Sequence, residues 1–542
     1  MPDPKELSQL LEGDVDVSSG ALDAASHDAS IFEVRPKVVV RPKNTEDVKK
    51  LVRYVNEHAG TSLTARSAGT DMSGGPLSES IVAEFTKYFT NIKEVCDGCA
   101  ITEPGVYYRD FDKATKAKDG QIMPSYPASR ELFTVGGIVS NNSGGEKTLT
   151  YGKTERYVRR LKVVLSDGNE YEFKPLNMNE LEEKKNQQNF EGELYRNMHK
   201  LISDNYDVLS RAKPIVSKNS CGYYLWNVWN KEAGTFDLTK LITGSQGTLA
   251  MVTEIEFGLI KPKPYSRLLV IFLKDINLLA DTATHILNFK PESFESYDDH
   301  TFKIAVKFLP QLMRQMGGNL VTLGLEFLPE LMAVLEGGVP KMVLMAEFTG
   351  DSAEEAVEKA EKARESIKDL HEKSKVTKTS RDANKYWVIR RESFNMLRHH
   401  VKELRTAPFI DDFAVIPEKL PEFLPRLYKI LDQYDITYTI AGHIGDGNFH
   451  IIPLMDLHLE KSHDIIKELS VKVYELIHEF RGTITAEHND GMIRTPFIKM
   501  QYGEEVYKLF EETKKIWDPK NIFNPGKKVG GTLEYAFSHI VK

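Results

Sequence analysis

Two periodicities run through the chain and divide it into helical and extended stretches. Thr45–His58 reads as a helix and leads into the strand-like Ser62-Leu63-Thr64-Ala65. Leu161–Ser166 reads as a strand closed by an Asp167-Gly168 turn, and Glu180–Asp207 as a charged helical stretch. A proline-broken linker follows at Lys261-Pro262-Lys263-Pro264. Beyond it, Arg267–Leu273, Met342–Phe348 and Ala407–Val415 read as strands, and Asn277–Phe289 and Ala353–His371 as helices. Together they predict a sheet with helices on one face. Strand formers at Thr437–His443 and Phe449–Leu454 flank Asp446-Gly447 and predict a hairpin. Leu459–Phe480 and Glu504–Asp518 read as helical. The apolar stretch Leu320–Phe348, interrupted by Glu326, Glu330, Glu336, Lys341 and Glu347, reads as core, with an interface or a membrane-docking patch as alternatives. No internal repeat is visible. The expected division is a lead over 1–32, a first domain over 33–262, a second over 263–480 and a closing segment over 481–542.

A chain of 542 residues has room for two or three domains with buried cores. Its 71 basic and 79 acidic residues leave a formal charge of −8, so no global field draws it to nucleic acid. Arg156–Arg160 and Lys362–Lys378 read as solvated faces. Three cysteines exclude a disulfide framework and are too few for a ferredoxin-type cluster. Cys96-Asp97-Gly98-Cys99 lacks a second pair and reads as a turn with two incidental thiols. The polar, acidic start and the lack of a transmembrane-length apolar run set cytoplasmic residence as the default, with peripheral membrane contact left open.

The hairpin carries the first chemical signal. If Asp446-Gly447 forms a two-residue turn, His443 faces His450 with Cβ atoms roughly 4.5–5.5 Å apart, near enough for two imidazoles to share a metal ion. Glu487 could complete a three-ligand site with an open position, and His488 offers a base. Two histidines on a hairpin are more often ordinary surface residues. Adjacent strand residues also face opposite ways, so Glu487 and His488 reach one site only from a loop, which Asn489-Asp490-Gly491 favours. A second signal is independent of the first. Arg66-Ser67-Ala68-Gly69-Thr70-Asp71-Met72-Ser73-Gly74-Gly75 is a glycine and hydroxyl loop suited to a pyrophosphate, though it matches neither the Rossmann nor the Walker pattern. Further glycine/serine elements occur at Thr134–Gly145 with Tyr151-Gly152, and at Leu241–Glu254. Three such elements suit a large dinucleotide threaded across several loops.

The order of these motifs resembles the flavin-binding domain of the vanillyl-alcohol oxidase superfamily. The His hairpin and Glu487-His488 resemble its branch of D-lactate, glycolate and D-2-hydroxyglutarate dehydrogenases, with the likeness running from about Val34 to Val529. The resemblance implies an α+β fold: a two-subdomain PCMH-type FAD-binding domain, an α+β cap for substrate, and a C-terminal tail returning to the flavin. It implies FAD contacts from Ser67, Ala68, Gly69, Thr70, Asp71, Met72, Ser73 and Gly74. It adds Pro127, Ser129, Gly136, Gly137, Asn142, Gly144 and Gly152, then Val252, Ile255 and, from the closing Trp517–Lys527 motif, Asn524. Lys218–Tyr223 resembles a segment beside the flavin. By the same resemblance His443, His450 and Glu487 are metal ligands for a divalent ion, zinc or manganese, His488 is the base, and Arg390 holds the substrate carboxylate.

Three departures refine the expectation. Thr70 stands where relatives with covalent FAD often place a histidine, so the FAD should be dissociable. Gln246 replaces a usual Glu. Asp411-Asp412-Phe413-Ala414-Val415-Ile416-Pro417 lacks a lysine that some relatives place near substrate, and two acidic residues there would repel a second substrate carboxylate. The expected reaction is oxidation of a D-2-hydroxy acid to the 2-keto acid, with hydride passing to flavin N5. Electrons would pass on to a separate acceptor: a quinone, a cytochrome, an electron-transferring flavoprotein or an iron–sulfur partner. The alternatives are a metal-dependent hydrolase and a nonredox flavoprotein of the alkyl-glycerone-phosphate synthase type.

Overall fold

The computed structural model describes residues 2–307, 338–370, 373–400 and 404–541. Near the N-terminus, strands Val38–Arg41 and Leu63–Arg66 both pair in parallel with Ile81–Glu84, and Asp14–Asp16 adds an antiparallel edge. Helix Thr45–Glu57 connects the first two of these strands. It buries Val48, Leu51, Val52 and Val55, an i, i+3, i+4, i+7 stripe that faces the sheet. Asn44 caps its start by accepting from the Asp47 amide, and the buried Asp47 carboxylate gathers the N–H groups of Glu12, Gly13 and Lys43. Strand Leu63–Arg66 therefore delivers the glycine loop to a fixed place.

A second, antiparallel sheet has the order Ile92–Cys96, Cys99–Thr102, Met251–Gly258, Val158–Val164, Glu170–Phe173. Cys96 and Cys99 pair across its first turn and are joined as a disulfide, not left as two thiols. Their Cα atoms are 5.0 Å apart, a separation the hairpin imposes and a disulfide bridges readily. The stretch Glu180–Asp207, read as helical, holds two helices, Met178–Asn186 and Phe190–Asp204, each capped by an asparagine, and the start of a third, Tyr206–Ala212.

The largest sheet runs in the order Lys373–Val376, Tyr265–Leu273, Met342–Gly350, Ser293–Asp298, Thr437–His443, Asn448–Met455, Arg405–Thr406, with Phe413–Ala414 also on Asn448–Met455. Here two expectations change. Helices cover both faces: Leu269, Ile271 and Leu344 join the cluster that holds Ala360 and Ala363, while Leu268, Val270 and Val343 pack with Tyr386 and Trp387 of helix Ser380–His400. That explains the unbroken apolar run Leu268–Leu273, since a strand buried on both sides has no polar face to alternate. Ala407–Val415 is not a continuous strand. It keeps only Phe413–Ala414 in the sheet, because Asp411 and Asp412 turn inward and Asp412 takes a φ of 67°. Of the apolar stretch Leu320–Phe348, residues 320–337 lie outside the described residues; Met342–Phe348 is buried strand, as expected of core.

The tail returns as expected. Helix Ile498–Trp517, broken at Gly503, runs into a turn where buried Asp518 accepts from the amides of Ile522 and Phe523. Leu63 then bonds Ile522 and Asn524, which seats the tail against the strand that carries the glycine loop.

The hairpin turn differs from its prediction. Residues Ile444–Asp446 form a single 3₁₀ turn closed by Gly447 at φ 62°, so four residues connect the strands instead of two. Gly447 is required there twice over: its φ is left-handed, and a Cβ would lie 1.7 Å from the Val415 carbonyl oxygen. Gly447→Ala should therefore lose more than the roughly 1–3 kcal/mol of backbone strain alone, measured by urea unfolding. Gly526→Ala, at φ 78° with nothing within 4 Å of its Cβ, is the strain-only comparison.

Candidate active site

The four-residue turn moves the strand register. His443 pairs with Asn448, and His450 with Ala441. The two histidines are thus diagonal neighbours and not directly opposite, but period-two alternation keeps both on one face. Their ring centroids are 5.3 Å apart. His443 Nε2 lies 3.5 Å and His450 Nε2 3.9 Å from the same oxygen, Glu487 Oε2. Each ring's other nitrogen is held from behind: His443 Nδ1 is 2.6 Å from Glu295 and His450 Nδ1 is 3.1 Å from Asp411. This carboxylate–imidazole arrangement fixes the tautomer that turns Nε2 inward, as metal-binding histidines require.

Glu487 and His488 lie on a loop, so both reach the site. The carboxylate of Asp412 shapes that loop, its Oδ2 accepting the amides of Ala486, Glu487 and His488 and the Thr485 hydroxyl. Asp412, His450, Glu487 and His488 also present ligand atoms within 4.8 Å of one another. His443 lies outside that four-residue cluster but shares Glu487 Oε2 with His450, while Asp412 is already taken up by hydrogen bonds to the loop. Lys218 and Asp446, which the sequence did not single out as site residues, complete the surroundings. The fully buried Lys218 ammonium is 2.6 Å from Glu487 Oε1 and 3.2 Å from Asp446 Oδ2. His488 Nδ1 lies 2.7 Å from Asp411 Oδ2, and its ring stacks on His450. Asp411 and Asp412 are therefore both buried and committed to contacts inside the protein. Arg390 reaches Glu295 at 3.1 Å, while its buried Nε has no hydrogen-bond acceptor.

The electrostatics follow from this crowding. Burial disfavours the charged imidazolium of His443, but Glu295 and Glu487 outweigh it and hold the ring up at about 9. Burial likewise opposes the charge on His488, and Asp412 and Asp411 raise it to about 9. The Glu487 carboxyl would rise on burial, yet Lys218 and His443 hold it well below the usual range. Glu295 is held at about 2, against its burial, by His443 and Arg390. Two protons on two rings thus balance an excess of buried carboxylate, a balance that a divalent cation could equally provide.

Glu487 and His488 line a cleft of about 1280 Å³, mouth included. Ser67, Ala68, Gly69, Thr70, Asp71 and Met72 line it, as do Pro127, Ser129, Gly136, Gly137, Gly144 and Val252. Ser73, Gly74, Asn142, Gly152, Ile255 and Asn524 do not. Ser73 and Gly74 turn behind the loop, Asn142 ends helix Val135–Asn141 at φ 48°, and Gly152 closes a short helix. Ile255 is core. Asn524 lies behind the wall, donating to the carbonyls of Gly75 and Gln246. Gln246 lines the cleft, and its amide donates to Ser73 Oγ while accepting from Gly491 N–H, two roles a carboxylate could not combine.

Backbone approach decides what the cleft admits. A Cβ on Gly136 would meet the Pro104 carbonyl oxygen at 2.6 Å, which lets the helix start pack tightly, whereas one on Gly137 would meet no atom closer than 3.6 Å. A family model described as FAD binding domain matches residues 36–174, and one described as FAD linked oxidases, C-terminal domain, matches residues 263–528. The chain belongs to the FAD-linked oxidases. Among curated relatives of this FAD-linked oxidase, the D-2-hydroxyglutarate dehydrogenase of Escherichia coli K12 is 25% identical over 536 residues, covering 96% of this chain but 51% of that protein. The chain thus spans about half the length of such relatives. Glycolate oxidase subunit GlcD of Bacillus subtilis is 27% identical, covering 93% of this chain and 91% of the relative. D-lactate dehydrogenase of Archaeoglobus fulgidus is 28% identical, covering 91% of each. Among solved structures, 4-ethylphenol oxidase from Gulosibacter chungangensis superposes with a TM-score of 0.68 at 16% identity, covering 98% of this chain and 97% of that one. p-Cresol methylhydroxylase gives 0.68 at 14%, covering 98% and 96%. The last two speak to fold alone. The small-residue cradle of the cleft fits FAD, the cofactor of this family.

Proposed function

We propose that this FAD-linked oxidase converts a 2-hydroxy acid of the D series to its 2-keto acid, with a divalent ion, zinc or manganese, held by His443, His450 and Glu487. The observation that carries this reading is that both histidine Nε2 atoms lie within 3.9 Å of Glu487 Oε2 while Glu487 and His488 line the cleft. The names of the relatives support the same substrate class. When bound, FAD supplies the acceptor for the hydride from C2, and the ion supplies positive charge beside the alcohol oxygen.

The chain's own residues perform the rest. Arg390, with its buried Nε unmatched, takes the substrate carboxylate through its planar fork. His488, its Nδ1 turned to Asp411, keeps Nε2 for the hydroxyl proton. Loss of that proton and of the C2 hydrogen with its electron pair leaves the keto group. Among the described residues His488 is the one histidine that lines the cleft, and we expect the FAD to be dissociable. We place the flavin domain at 33–262, the cap at 263–480 and the closing segment at 481–542, and expect a separate electron acceptor. No described helix is long and apolar enough to cross a membrane.

Anaerobic mixing of the yellow protein with D-lactate, glycolate or D-2-hydroxyglutarate should bleach the flavin absorption. A protein that keeps its colour unchanged with every D-2-hydroxy acid tested would overturn the proposal.

A further inference from the structure

The flavin loop is held from outside by a segment that precedes the matched FAD-binding region at residue 36. After helix Ser19–Ala25 the chain passes over the back of Arg66–Gly75. The Asp28 carboxylate accepts the Gly74 amide through Oδ2 at 3.1 Å and the Ser30 amide through Oδ1 at 2.9 Å. Ala29 N–H donates to the Asp71 carbonyl at 2.8 Å. Arg66 answers from the other side, its guanidinium donating to the carbonyls of Ala24, Ala25 and His27. Phe32 packs so closely on Gly74 that a Cβ there would lie 2.8 Å from its ring.

This strap is itself fastened by the far end of the chain. Glu33 N–H bonds the His539 carbonyl, Val541 N–H bonds the Ile31 carbonyl, and Phe32 bridges Ile540. Residues that are remote in sequence thereby converge on one loop. Within that loop Gly69 and Gly74 adopt φ values of 69° and 82°, so an unsupported chain would sample many other conformations. Fixing it before a ligand arrives removes that ordering cost from binding.

We propose that Asp28 is a positioning residue for the cofactor, tying the N-terminal strap to Gly74 so that the Ser67–Gly75 loop is preformed for the FAD pyrophosphate. The inference rests on the assignment of that loop to FAD. It predicts that cofactor retention depends on a side chain that does not line the cleft.

The test measures FAD release from the full-length holoprotein, by the gain of flavin fluorescence on dilution. Asp28→Ala leaves the buried Gly74 amide without its acceptor and should speed release about ten- to hundred-fold. Asp28→Asn, which keeps one acceptor, should fall between it and the wild type. Asp28→Ser, too short to reach Gly74, is the second variant should the alanine protein fail to fold, and should match the expectation for alanine. Amide exchange in the apoprotein should quicken over residues 66–75 and stay unchanged in the hairpin at 437–455. Wild-type release rates in the folded Asp28 variants would overturn the inference, as would exchange that quickens across the whole chain. Failure of the wild-type protein to bind FAD would instead remove the assignment of the loop.

Discussion

Replacing His488 by alanine should lower kcat by about 10²–10⁴-fold, the usual contribution of a positioned base, while the protein stays yellow. The two readouts separate because His488 and the glycine loop proposed to hold FAD are different parts of the cleft wall. Normal turnover in His488→Ala would remove it as base. The pH profile gives a second reading of the same residue. Burial works against a charged ring, but Asp412 and Asp411 raise His488 to about 9, above its ordinary value. A base acts when deprotonated, so the rate should climb with pH towards that value. Asp411→Asn removes one of the charges that raise it, and the acid limb should move to lower pH. In the protein without a bound ion the same shift acts on stability with the opposite sense. Protonated His488 contributes fully below the unfolded value of about 6.5, and the contribution is lost as pH rises through about 9.

Loss of the ion should be as damaging as loss of the base. His443→Ala, His450→Ala and Glu487→Gln should each yield protein that contains FAD but is depleted in zinc and manganese by elemental analysis. Chelation of the wild type should abolish turnover and leave the flavin spectrum in place. Full metal occupancy in both histidine variants would end the proposed centre. Binding must also displace a proton from His443, which Glu295 and Glu487 hold at about 9 against its burial. Apparent affinity should therefore rise by up to about ten-fold per pH unit below that value and level off above it, measured by titration of stripped protein with Mn²⁺.

Much of this site could be read from residue order. Gly447 announced the hairpin, the loop at Asn489-Asp490-Gly491 let Glu487 and His488 face one centre, and the three glycine/serine elements predicted a cleft for a dinucleotide. The family models and the cleft agree with that reading of the cofactor. The turn length was not legible. Asp446-Gly447 suits a two-residue turn, but the connection takes four residues with Gly447 packed against the Val415 carbonyl, and that contact comes from a residue far off in the sequence. The roles of Asp411 and Asp412 were also hidden. As two adjacent acids they read as a source of repulsion; in the fold one holds two imidazoles and the other caps a loop.

Local pattern by itself determined most of the strand and helix segments, where the glycine loops fall and which side chains are candidates for metal and proton chemistry, because those properties depend on neighbours a few residues away. Only the tertiary structure decided the hairpin register, the burial of Lys218 beside Glu487, the second helical layer on the large sheet and the knitting of both termini onto the flavin loop. Each of those is a contact between residues far apart in sequence, set by packing and by the pairing of buried charges, and no local window contains both partners.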